Sequence, residues 1–170
     1  MRKKSFLTLR EIVLFGLFPA IIYAAQLAMS ALPNIHLTGM FIMLMTLLFR
    51  TRALIPLYIY VVMVGLINGF STWWLPYLYI WTVLWGATML IPKTSPDRFA
   101  AVVYPAVNCL FGLCYGMLYA PTQALLYGYT TKQTIAWILS GLPFDGMHAV
   151  GNLVTGMLIL PLFKALKRFR

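Results

Sequence analysis

Asp145, His148 and Asn152 stand three and four positions apart in the stretch GLPFDGMHAVGNLVTGMLILPLF, so on a helix they share one face. These side chains can hydrogen-bond, exchange protons or orient a solute, yet they sit inside an apolar run long enough to cross a bilayer. A charged group at mid-bilayer costs roughly 2.5–3.5 kcal/mol even on the lenient insertion scale, and such groups therefore usually face a bundle interior or a cavity. Two roles fit this face: contacts to a small solute, or ties between helices, with Asp145 and His148 satisfying one another. A third reading, a membrane-embedded hydrolase using Asp145 and His148, has little residue support. There is no HExxH, no GxSxG, no Cys/His metal cluster and no nucleophile at matching depth, so neither an enzyme nor a bound metal or cofactor is expected. No GxxxxGK[ST] phosphate loop is present, so any ATP chemistry must be supplied by another chain.

The elements that position these residues are set by composition. Of 170 residues, 62% are hydrophobic and only 9% charged, with a mean hydropathy of +0.85. A soluble domain carries about 25% charged residues, so this is the composition of a polytopic membrane protein. The net charge of +10 does not point to nucleic acid, because the basic residues lie between and beyond apolar segments instead of forming a patch interleaved with stacking aromatics. They serve topology and contact with membrane lipid. Cys109 and Cys114 fall on different faces of one apolar segment and read as ordinary thiols. The N-terminus loosely resembles a signal peptide, but its apolar run of about 20 residues after Glu11 suits a retained span.

The sequence predicts an all-α bundle of six transmembrane helices in a single domain, residues 1–170, with spans near 12–31, 37–49, 53–68, 75–91, 99–127 and 135–163. Pro33-Asn34 closes the first span and Pro92-Lys93 the fourth. The second is short for a full crossing. With the N-terminus inside, Arg2, Lys3, Lys4, Arg10, Arg50, Arg52, Lys93, Arg98, Lys164, Lys167, Arg168 and Arg170 all fall on the cytoplasmic side, leaving only Lys132 of the 13 basic residues outside. Both termini are therefore expected in the cytoplasm.

That orientation sets depth. Asp145, His148 and Asn152 lie in the outer half to middle of span six. Asn108, Gly112, Tyr115, Tyr119 and Gln123 form a stripe on span five, and Tyr77, Trp81 and Trp85 recur every four residues on span four. Asn68, Trp73 and Trp74, and Asn34 and His36 in the first outer loop, share the outer level. Aromatic walls with a few polar groups are the makings of a small-molecule pocket. The plainer alternatives stay open: bundle core or interfacial belt for the aromatic stripe, an interhelical hydrogen bond for Asn108, a loop cap for Asn34 and His36. On span one, Gly16, Ala20, Ala24 and Ala28 recur every four residues, a small-residue stripe that packs either inside the bundle or against another protein.

Together the Ala20-x-x-x-Ala24 pattern, the loop LPNIHL, the aromatic WWLPYLYIW and the block GLPFDGMHAVGN resemble the substrate-binding S components of energy-coupling factor (ECF) vitamin transporters. The likeness covers most of the chain, including length, span number and topology. It implies a multi-pass subunit of a bacterial cell membrane that captures a micronutrient at its outer end. It also implies partners, a transmembrane coupling subunit and two ATPases, and reorientation of the whole subunit to release substrate inside. Ala20 and Ala24 would belong to the docking surface, and the loop after span one would help close the site. The alternative is a stand-alone secondary transporter or channel, whose mark would be inverted symmetry or broken helices in matching halves, and neither is visible. Abundant Trp and Tyr favour a flat or ring-bearing ligand without separating a flavin from a pterin, a corrinoid, a modified base or pantothenate. One carboxylate, one histidine and several amides argue against a strongly anionic one.

Overall fold

A computed structural model describes residues 7–32 and 34–169; Arg2, Lys3, Lys4, Pro33 and Arg170, used above for topology and the first turn, lie outside them. The described chain is all-helical: α1 (Leu9–Ala28), α2 (Thr38–Phe49), a 3-10 turn (Arg50–Ala53), α3 (Leu54–Asn68), α4 (Tyr77–Met89), α5 (Asp97–Leu113), α6 (Tyr115–Tyr127), α7 (Thr131–Gly156), α8 (Ile159–Leu166) and a closing 3-10 turn (Lys167–Phe169). Four helical stretches, Leu9–Ala28, Thr38–Asn68, Asp97–Tyr127 and Thr131–Leu166, are long and apolar enough to cross a membrane. At 13 residues α4 is shorter, about 20 Å at 1.5 Å per residue against a hydrocarbon core of about 30 Å.

Helix starts fall earlier than the apolar runs suggest. Thr8 and Thr130 each form a capping box, with Glu11 and Gln133 respectively, so α1 begins at Leu9 instead of Ile12 and α7 at Thr131 instead of Ile135. The polar first turn is helical because the cap satisfies N–H groups that hydrophobicity alone does not register. The expected fifth span divides at Cys114 into α5 and α6, and the sixth at Met157-Leu158 into α7 and α8.

The bundle is organised around α2. Every residue of it except Phe41 is buried, and it packs against α4, α8, α1, α7 and α5. A helix apolar on all faces is a core helix. Its C-terminal end is stapled to that of α4: Arg50, at φ 55°, donates from Nη1 to Ile91 O at 3.2 Å and from Nη2 to Met89 O at 2.6 Å, while Trp85 Nε1 donates to Arg50 O at 3.1 Å. Arg52 pairs with Glu11 at 2.6 Å, and Lys164 pairs with Asp97. Basic segments far apart in sequence thus meet at one end of the bundle, where Arg50, Arg52 and Lys93 line one cleft and Lys93, Lys164 and Lys167 another. Apolar side chains such as Leu90 and Leu125, 87% and 86% exposed, cover the flanks, as lipid contact requires.

The tightest packing joins α5 to α7. A Cβ at Gly112 would lie 2.8 Å from His148 O, and one at Gly156 2.7 Å from Pro105 Cα. Close approach of backbones is what holds helices together where lipid removes the hydrophobic drive.

Candidate functional site

Trp81, only 1% exposed, is the hub of a cage of rings. His36 meets it at 6.3 Å between centroids, Tyr60 at 6.4 Å, Tyr77 at 5.4 Å, Phe111 at 5.7 Å and Tyr115 at 6.0 Å. His36 also touches the ring of His148 at 5.2 Å, and His148 stacks on Tyr115 at 4.9 Å. Tyr119 extends the cage from Tyr115, and Trp73 from Tyr77. Helical spacing builds it: Tyr77 and Trp81 lie one turn apart on α4, and Phe111, Tyr115 and Tyr119 keep a four-residue spacing across the break at Cys114. The C-terminal ends of α2 and α4 lie at the basic end. His36 precedes α2 and Tyr77 opens α4, so the cage lies toward the other end of the bundle.

Two ring nitrogens in the cage, Trp81 Nε1 and His36 Nδ1, are enclosed and have no hydrogen-bond partner among the described residues. Nine in ten buried polar groups have one, so two orphans in contacting rings mark this place out. Burial, reinforced by the neighbouring His148, pushes the His36 imidazole down to about 4, which keeps it neutral at neutral pH. His148 Nδ1 lies 3.2 Å from Phe144 O. That carbonyl can only accept, so Nδ1 carries the proton and Nε2 is left as an acceptor.

The expected site residues divide into two groups. His36, Trp73, Tyr77, Trp81, Tyr115, Tyr119 and His148 come together. The others have separate engagements. Asp145 accepts from Gly116 N at 2.9 Å, taking up an N–H that the start of α6 leaves free. Asn152 donates to Asn108 O, and Asn108 back to Asn152 O, so both are interhelical ties. Asn68 accepts from Tyr23 at 3.2 Å; Trp74 packs on Phe70 and donates to Val61 O at 2.8 Å. Asn34 turns the chain at φ 60°, and Gln123 is half-buried on α6 outside the ring contacts. Tyr60 and Phe111 belong to the cage although the sequence reading passed over them. Phe111 was detectable, one turn before Tyr115; Tyr60, whose hydroxyl donates to Gln26 at 2.8 Å, sits in an apolar run with no polar marker.

Gly16, Ala20, Ala24 and Ala28 are all exposed, while Phe15, Phe18 and Ile22 on the same helix face the core. A Cβ on Gly16 would meet nothing within 4 Å. The small-residue stripe thus lies away from this chain's own packing. Cys109 and Cys114 are free thiols, and no three His, Cys, Asp or Glu side chains among the described residues are grouped to hold a metal. No protein family, curated protein or solved structure matches the chain.

Proposed function

We propose that the chain is the substrate-capture (S) subunit of an ECF-type importer for a vitamin or related micronutrient, crossing a bacterial cell membrane six times with both termini inside. The observation that carries this reading is the ring cage around Trp81, with two enclosed and unpartnered ring nitrogens, at the end of the bundle opposite the clustered Arg and Lys residues. Basic residues favour the cytoplasmic side, so the cage lies toward the outer side, where a scarce solute is met. An aromatic pocket with few polar groups binds small ring-bearing molecules well. Energy comes from a transmembrane coupling subunit and two ATPases. The exposed stripe Gly16, Ala20, Ala24 and Ala28 offers the coupling subunit a surface for close helix packing.

The test is purification of the tagged chain from its own membranes. Copurification of one membrane subunit and two ATPases, with solute uptake that stops when the ATPases are deleted, is the expected result. Uptake by the chain reconstituted alone would assign it instead to the stand-alone transporters.

A further inference from the structure

We infer that the cage around Trp81 takes an uncharged, planar heterocycle rich in hydrogen-bond acceptors, with one acceptor atom set against Trp81 Nε1. This rests on the reading of the cage as the capture site and adds the ligand's chemical class.

Shape comes first. Trp81 is approached by His36, Tyr60 and Tyr77 at interplanar angles of 76°, 70° and 82°, and His148 lies nearly flat on Tyr115 at 23°. A flat guest taken up between these rings would meet them by offset stacking and edge contacts.

The polar lining offers donors beside one imidazole acceptor, His148 Nε2. An indole Nε1–H can only donate, and this one is enclosed with no partner among the described residues. Helix α2 begins two residues after His36 with no side-chain cap, so its first-turn N–H groups add partial positive charge beside the cage. His36 Nδ1 can donate or accept according to tautomer, so it fits an acceptor or its neighbouring ring N–H equally.

Full positive charge is missing from this lining. The rings that meet Trp81 are aromatic or imidazole; Arg50, Arg52, Lys93 and Lys164 are held at the other end by their own contacts or clefts, and Lys132, on the outer side, is exposed in the first turn of α7. Asp145, one turn before His148, adds negative charge on that side of the cage. A buried carboxylate or phosphate would lack a counter-charge and would face that repulsion. A permanent cation would be drawn by Asp145 and by the ring faces, but it would leave Trp81 Nε1–H unpaired and would meet the positive end of α2. The lining therefore selects acceptor atoms on a neutral ring.

The experiment is mass-spectrometric identification of the small molecule released from the detergent-extracted protein, followed by titration with riboflavin, riboflavin 5′-phosphate, pyridoxine and pyridoxine 5′-phosphate. The expected molecule is a neutral planar heterocycle, and where a pair binds, the uncharged member should be at least tenfold tighter. A bound phosphate, carboxylate, permanent cation or aliphatic molecule overturns the inference and leaves the capture role standing. If nothing is released and none of the four binds, the two fall together. Trp81→Phe keeps a ring but removes the N–H, and should weaken the identified molecule by roughly tenfold or more; unchanged affinity overturns the assigned contact. Should that variant fail to fold, the 15N resonance of the Trp81 indole in the wild-type protein decides, because a new hydrogen bond must shift it when the molecule is added.

Discussion

Asn108 and Asn152 hold α5 and α7 together by reciprocal side-chain-to-backbone hydrogen bonds: Asn108 Nδ2 to Asn152 O at 2.8 Å and Asn152 Nδ2 to Asn108 O at 3.1 Å. Both residues are buried, 0% and 2% exposed. Interhelical hydrogen bonds in membranes average about 0.6 kcal/mol and reach about 1.7 kcal/mol. Asn108→Ala and Asn152→Ala should each lower the thermal midpoint in detergent, and because each bond ends on a backbone carbonyl that alanine keeps, the double variant should lose about the sum of the two. A double variant no worse than either single would contradict two separate bonds.

The glycines between these helices separate packing from chain flexibility. A Cβ at Gly112 would meet the His148 backbone at 2.8 Å, and backbone cannot step aside as a flexible side chain can. Gly112→Ala should therefore force α5 from α7 and destabilise by several kcal/mol, in the range of strongly overpacked cores. Gly16→Ala, with nothing within 4 Å, should leave the melting curve in place. Equal effects at the two positions would contradict the packing described.

His148→Ala removes the ring that stacks on Tyr115 and touches His36. It should weaken the captured solute by about 1–3 kcal/mol if His148 supplies one hydrogen bond to it. Calorimetric titration of the isolated protein reads this directly, and a variant with normal affinity and a lowered melting point would reduce His148 to a packing residue.

The exposed stripe on α1 predicts a split between capture and transport. Ala24→Leu puts a bulky side chain on a surface that this chain's own packing does not use. Solute affinity of the isolated protein should survive, while uptake in cells and copurification with the coupling subunit should be lost. Parallel loss of affinity and uptake would remove the stripe from the docking surface.

His36 contributes to the pH dependence of stability with a definite sign. Its folded value is pushed from 6.5 down to about 4. The unfolded chain therefore binds a proton between about pH 6.5 and 4 that the folded chain refuses, and stability falls as the pH falls through that window. Thermal midpoints at pH 7.5, 6 and 5 should drop more steeply for the wild type than for His36→Phe. Parallel slopes would place the pH response elsewhere.

Part of this architecture is written in local sequence. Apolar runs, capping pairs such as Thr8 with Glu11 and Thr130 with Gln133, and turn residues such as Gly128 depend on neighbours within a few positions, so helical class and most helix limits follow from the chain alone. So does the shared face of Asp145, His148 and Asn152, because helical period fixes which residues of one helix lie together. Period does not say what that face meets. Only the tertiary structure directs Asp145 to the free N–H of Gly116 and Asn152 to Asn108, leaving His148 to the rings. It likewise selects Trp81 over Trp74 as the hub, adds Tyr60 and Phe111, and buries α2 at the centre. These outcomes depend on contacts between residues tens of positions apart, and a hydrophobic side chain carries no local mark that distinguishes a core partner from a lipid-facing one.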